Sequence, residues 1–295
     1  MKIIDSHNHV DFHGFHADAA VKNMDENGIE MTWLLTWEAP QDEINPDMYK
    51  RVFHPSLQDM PFMQVVDAVR RYPSRFVAGY CPDPRRPDAL DRLEVAYNSY
   101  GVRVCGELKL RMMYDNPDAI ELYRLCGRYR LPVVVHIDYP IPVREGSYPR
   151  RNYWFGGGIE SLERALEQVP ETVFIGHAPG FWGHLSADGK HLSMYYPDGP
   201  IVPGGKAIEL LERYPNLHAD LSAMSALNAL QRDIGFTREL LDRFQDRFLY
   251  GRDNYSTDLR QFLDQLDISE SIRDKIYYQN AEALLSAGGA HQWKY

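Results

Sequence analysis

The sequence predicts an α/β protein built as one (β/α)8 TIM barrel spanning residues 1–295, and three observations predict it. Short β-branched or aromatic runs alternate with longer stretches of helical period. Several of the short runs are apolar without a break, as parallel strands buried on both faces require. Histidines and acids stand at the ends of those runs, where barrel enzymes place their sites. A chain of 295 residues suits a single barrel, since such domains commonly exceed about 250 residues. No repeat, low-complexity tract or linker divides it.

Eight strands are expected at residues 3–10, 31–37, 75–81, 104–110, 132–137, 172–177, 217–221 and 248–253. Amphipathic stretches at 17–27, 60–72, 89–100, 119–130, 159–169 and 206–214 read as the intervening helices. Gly28, Pro73, Gly101, Pro170 and Pro215 stand where most of these helices must stop. Residues 38–59 and 178–205 are too long for simple turns, and long βα loops commonly cover the active face. Gly156, Gly157 and Gly158 read as a loop feeding the fifth helix, with the aromatic run from Tyr153 to Phe155 at the entrance. Residues 257–285 supply closing helices.

Composition excludes several classes. Hydrophobic residues at 44% and charged residues at 25% are ordinary for a globular protein, so neither disorder nor a fibrous repeat is expected. A formal charge of −10 without any basic block argues against nucleic acid and anionic membranes as partners, and leaves a small molecule. Cys81, Cys105 and Cys126 lack ligand spacing and read as reduced thiols. With no apolar stretch of signal-peptide length and no run of about 18 apolar residues, the expected location is the cytoplasm. Nucleophile-elbow, phosphate-loop and dinucleotide motifs are absent.

His7 and His9 alternate on the first strand, so their side chains share a face and can hold one cation. His136 ends the fifth strand, His177 the sixth and Asp253 the eighth. A shared divalent ion satisfies several such buried polar groups at once. On the fourth strand Glu107 and Lys109 face the same way. Glu107 is the preferred ligand there; Lys109 could serve only after carboxylation, or hold a substrate anion as an ammonium, and mutual neutralisation of the pair is the alternative. His13, His16, His184 and His191 read as exposed rather than as ligands, with His184 and His191 left as candidate substrate contacts, and Ser222 and Asn228 read as structural.

The motifs IDSHNHV, VVVHID, VFIGHAP, LYGRDN and IYYQNAEALL together resemble the amidohydrolase superfamily over nearly the whole chain, in the group that includes aminocarboxymuconate-semialdehyde decarboxylase. The resemblance implies zinc or a similar divalent ion, such as manganese, held by His7, His9, His136 and Asp253, with His177 as a second ligand or as catalytic acid or base. Glu107 looks like the bridging residue of two-metal members. Arg252 departs from the pattern, which usually has a small hydroxyl residue before the aspartate. A homodimer is a family-level expectation.

Hydrolysis of an ester, lactone or amide is the leading expectation. The ion would lower the pKa of its water from about 15.7 to about 7. Asp253 would take a proton from that water and return it to the leaving group, and His177 would polarise the carbonyl or hold a second ion. Non-oxidative decarboxylation uses the same residues and is the alternative; a metal-stabilised binding protein without activity is the third reading. Arg111 or Arg252 could clamp a substrate carboxylate. Trp37 and Trp182 suit a flat or ring-bearing substrate.

Overall fold

Eight short parallel strands form where the apolar runs lie: β1 (Ile4–Asn8), β2 (Met31–Leu34), β3 (Phe76–Ala78), β4 (Cys105–Leu108), β5 (Val133–His136), β6 (Phe174–His177), β7 (Leu217–Asp220) and β8 (Phe248–Leu249). The structure is a computed structural model that describes residues 2–40, 43, 60–140 and 154–287. Strands β1 to β3 pair in order, as do β4 to β8. Two seams join these sheets. Gly79 bridges Val104, with the Tyr80 N–H donating to the Val104 carbonyl at 2.9 Å, and the Ser6 N–H donates to the Tyr250 carbonyl at 2.9 Å. The ring of strands is thereby closed as a (β/α)8 barrel.

The strands are shorter than their apolar runs because chain ends leave the ladder to form the rim. Around them lie α1 (Ala17–Glu26), α2 (Phe62–Arg71), α3 (Ala89–Tyr100), α4 (Pro117–Tyr129), α5 (Ile159–Gln168), α6 (Pro179–Trp182), α7 (Lys206–Arg213), α8 (Ala223–Gln231), α9 (Ile234–Arg243), α10 (Asp258–Gln265), α11 (Glu270–Asp274) and α12 (Asn280–Ala287). Local chemistry sets their ends. The Asn116 side chain accepts the Asp118 N–H and Pro117 fills the first turn of α4, while Gly101 closes α3 at φ +66°. The helix expected from residue 60 starts at Phe62, because Met60 instead bridges Trp37. The stretch after β7 holds two helices, α8 and α9. The expected loop at 38–59 and Tyr153 lie largely or wholly outside the described residues.

The core has two layers. Ile4, Trp33, Val104, Val134, Ile175 and Leu249 fill the barrel interior and meet Ala281 of α12, which plugs one end. Leu34, Phe76, Val133, Phe174 and Phe248 point outward and pack with Met24, Leu122, Leu162 and Leu240 of the helices. Gly176 is needed for that outer packing, since a Cβ there would lie 2.4 Å from the Phe181 ring of α6. No helix among the described residues is long and apolar enough to cross a membrane.

Bulges break the strict alternation of β1 and β4. The β1 register shifts between Asp5 and Asn8, and the β4 register between Cys105 and Leu108. Ile4 therefore belongs to the interior and Asp5 to the helix side, yet His7 and His9 reach the barrel mouth. Such a bulge re-aims the side chains that follow it.

Two residues expected to touch substrate are held elsewhere. Arg252 pairs through Nε with Asp5 Oδ2 at 2.8 Å, donates its backbone N–H to Asp5 Oδ1 at 2.9 Å, and reaches Asn23 Oδ1 of α1 at 2.6 Å. Both side chains of the ion pair are shut away from solvent, at 1% and 0% exposure, so Arg252 ties β8 to β1 and α1 rather than clamping a substrate. Trp182 is likewise buried, donating Nε1–H to the Asp220 carbonyl at 3.2 Å and packing on Phe181 and Phe248. Its ring is committed to the wall around β7.

Breaking a buried ion pair from one side strands the other charge, at about 3–5 kcal/mol. Arg252→Met should therefore lower the urea midpoint strongly. An unchanged midpoint with a raised KM would return Arg252 to the substrate.

Candidate metal centre

Three imidazoles converge at the mouth, and each is oriented by the nitrogen it turns away. The Nδ1–H of His7 donates to Asp220 Oδ2 at 2.9 Å, that of His177 to Asp220 Oδ1 at 3.0 Å, and that of His9 to the Leu35 carbonyl at 2.9 Å. Every Nε2 is left facing inward with its lone pair free, the arrangement in which metal-binding histidines are held. The His7 Nε2 is buried and has no hydrogen-bond partner. An orphaned acceptor of that kind is costly unless something occupies the space before it.

Asp253 faces these nitrogens. Its Oδ1 lies 3.3 Å from His9 Nε2 and 3.8 Å from His7 Nε2, and its Oδ2 lies 3.7 Å from His177 Nε2. The backbone places it there: Asp253 adopts φ +58°, which aspartate tolerates better than most residues, and donates its N–H to the His7 carbonyl at 2.8 Å. Gly251 permits the approach, since a Cβ there would sit 3.1 Å from His7 Cβ. Glu107 enters from β4, with Oε2 3.5 Å from His9 Nε2 and Oε1 3.7 Å from His177 Nε2.

Two overlapping sets of ligand atoms result: His7, His9 and Asp253, and His7, Glu107 and His177. Imidazole and carboxylate donors in this number fit zinc, manganese or another first-row divalent ion, so the residues present suit the implied cation. His136 belongs to neither set. Its Nε2 contacts Asp138 Oδ2 at 2.8 Å and its Nδ1 contacts Glu107 Oε1, so both nitrogens are engaged by carboxylates. Its ring stands beside the cluster, 5.2 Å from that of His177.

Burial drives the His7 and His177 pKa values down, but Asp220 and Asp253 outweigh it and leave both above the ordinary histidine value. Burial raises the Asp253 carboxyl, yet the charges of His7 and His177 and the His9 contact hold it below the usual range. Glu107 is pushed up by burial and pulled well below normal by His136, then Lys109.

Sequence reasoning missed Asp220, Asp138 and Tyr114. Asp220 ends β7 as His177 ends β6, and that position was the available signal. The Tyr114 hydroxyl donates to the Leu108 carbonyl at 2.7 Å and contacts the His136 carbonyl, tying the rims of β4 and β5. Ser222 supports Asp220, donating its N–H to Oδ1 at 3.2 Å and its hydroxyl to the same oxygen. His184, expected exposed, is buried against the Tyr139 hydroxyl at 2.7 Å, and burial lowers its pKa to about 3.

Trp37 is buried below the mouth, its indole N–H donating to the Lys109 carbonyl at 3.3 Å. Arg111 is half-buried after β4 and donates its backbone N–H to Glu43 Oε2 at 2.8 Å.

Comparison with curated proteins returns no match. Among solved structures, an uncharacterized TIM-barrel protein from Bordetella bronchiseptica superposes at TM-score 0.66 with 17% identity, over 98% of this chain and 100% of its own. A probable 2-pyrone-4,6-dicarboxylic acid hydrolase from Acinetobacter baumannii, with citric acid bound, gives 0.60 and 15%, over 97% and 100%. A dihydroxybenzoic acid decarboxylase from Polaromonas, with manganese and 2-nitroresorcinol bound, gives 0.57 and 18%, over 92% and 86%. These likenesses establish the fold. Residues 4–286 match the amidohydrolase family, and the chain belongs to it as a metal-dependent enzyme of that superfamily.

Proposed function

We propose that the chain hydrolyses an ester, lactone or amide bond in a small substrate. His7, His9 and Asp253 would hold one divalent cation, zinc in the first instance and manganese in the second, and His177 and Glu107 would hold a second, because the one free nitrogen of His7 can serve only one ion. A cation so held supplies Lewis acidity toward water and toward a carbonyl oxygen. The observation that carries the hydrolytic reading is Glu107, whose Oε2 lies 3.5 Å from His9 Nε2 and whose Oε1 lies 3.7 Å from His177 Nε2, so that one carboxylate could serve two ions.

The chain's own groups then divide the work. Asp253 is the most open member of the cluster, with its side chain 20% exposed against 0–3% for His7, His9, His177 and Glu107. It is the carboxylate placed to take a proton from attacking water at Oδ1 or Oδ2 and to return it to the leaving oxygen or nitrogen. A depressed pKa keeps it ionised and ready for the first of these transfers. Asp220 holds His7 and His177 in the tautomer that leaves both Nε2 atoms unprotonated. His136 could join as a ligand only by releasing Glu107 or Asp138. The likeness to the Polaromonas decarboxylase supports a second reading, loss of carbon dioxide from a carboxylate-bearing ring.

The test is turnover by the metal-loaded protein on panels of esters, lactones and amides, with carbon dioxide release from aromatic carboxylates followed in parallel. Hydrolysis without carbon dioxide is the expected result, and carbon dioxide release alone would replace the reading with the second one. Asp253→Asn should reduce turnover by at least about 100-fold, the scale of a positioned general base. Retained activity in that variant would remove Asp253 from the chemistry.

Asp220→Asn should weaken metal affinity by about 10- to 100-fold, because it disturbs the partner that orients two ligands. Competitive chelator titration reads this directly, and unchanged affinity would make Asp220 a purely structural residue. Affinity should also depend on pH in a defined sense. His7 and His177 have raised pKa values, so protons occupy Nε2 below them and compete with the cation. Binding should be complete above both values and fall with acidification through a window that opens above about 6.5. A loss beginning only below about 5 would contradict the assignment of these two histidines.

A further inference from the structure

We infer that Lys109 is the anion-binding residue of this site and that the natural substrate carries a carboxylate close to the bond that reacts. The inference deepens the enzymatic reading above and rests on it. Lys109 is only 6% exposed, yet among the described residues no carboxylate and no hydrogen-bond acceptor pairs with its Nζ. Its contacts are two ring faces, Trp37 at 3.9 Å and Phe155 at 5.3 Å from Nζ to centroid. Aromatic faces stabilise a cation but satisfy none of the three N–H donors of an ammonium as a carboxylate does.

The neighbouring acids are already engaged. Glu107 turns Oε1 to His136 Nδ1, and Asp138 turns Oδ2 to His136 Nε2. An ammonium taken from water with no counterion is expensive to keep, so its place here needs a compensating partner. The location says what that partner is. Glu107 and Lys109 come from the same end of β4, and the charge of Lys109 acts on both Glu107 and His136. Trp37 is pinned beneath by its hydrogen bond to the Lys109 carbonyl, which fixes ring and ammonium together. This ammonium, without a hydrogen-bonded carboxylate among the described residues, therefore adjoins the metal cradle on the Glu107 and His136 side, where a substrate's carboxylate can reach it.

Lys109 has no need to become a carboxylated ligand, because Glu107 already brings a carboxylate between His9 and His177. A negatively charged group on the substrate completes Lys109 and orients the reacting bond toward Asp253.

Benzoate and benzamide, equal in shape and different in charge, test this by calorimetric titration of the metal-loaded protein. The wild type should prefer benzoate, and Lys109→Met should weaken benzoate binding by about 10- to 100-fold, the scale of a hydrogen bond to a charged group, with benzamide unaffected. Lys109→Arg should restore much of the preference while the metal content of all three proteins stays equal. Benzoate affinity unchanged in Lys109→Met, or lost only together with the metal, would overturn the assignment. Binding needs no turnover, so this result stands apart from whether the enzyme proves to be a hydrolase.

Discussion

Asp220 is the interaction on which the mouth of the barrel depends. One buried carboxylate accepts an Nδ1–H from His7 with one oxygen and from His177 with the other. Both rings are thereby fixed in orientation and tautomer, and both Nε2 atoms face the same space. Burial alone would force Asp220 to take up a proton, but the two imidazoles hold its pKa far below the usual carboxylate range. Ser222 adds two more donors, and Trp182 secures the Asp220 backbone carbonyl. Without that support the histidines could rotate, and the convergence on Asp253 would be lost.

The same economy of paired charges runs behind the site. Asp5 and Arg252 lie on the helix side of the residues that carry His7 and Asp253, and their ion pair locks β1 against the segment after β8. The Asp253 N–H completes the lock through the His7 carbonyl. Closure of the barrel and assembly of the ligand set are therefore one event: the seam that joins the first strand to the last is also the seam across which His7, His9 and Asp253 meet. Residues far apart in sequence are brought within 4 Å by ladder geometry rather than by local turns.

Much of this was legible beforehand. His177 and Asp253 stand out as polar residues at the ends of apolar runs, His7 and His9 by their alternation on the first strand, and Glu107 by its place near the end of the fourth, and in a barrel all strand ends gather on one rim. His136 satisfies the same rule but differs in its neighbours: Glu107 and Asp138 flank it and occupy both nitrogens. Arg252 and Trp182 were legible as rim residues by position and are not, because one pairs with Asp5 and the other packs behind β7. Alternation alone would put Asp5 and His7 on one face. The bulge between Asp5 and Asn8 separates them.

By itself the sequence determined the order of strands and helices, the closed barrel they imply, and most of the titratable side chains at its mouth, Asp220 and Asp138 excepted. Those follow from local periodicity, from turn residues and from the parallel connection of each strand to the next. Only the tertiary structure decided which polar atoms meet: Asp220 with two histidines, His136 with two acids, Arg252 with Asp5, and Lys109 with two aromatic rings and, among the described residues, no hydrogen-bonded carboxylate. Periodicity assigns a side chain to a face, whereas partners are chosen across strands and helices distant in sequence, where a one-residue bulge is enough to change them.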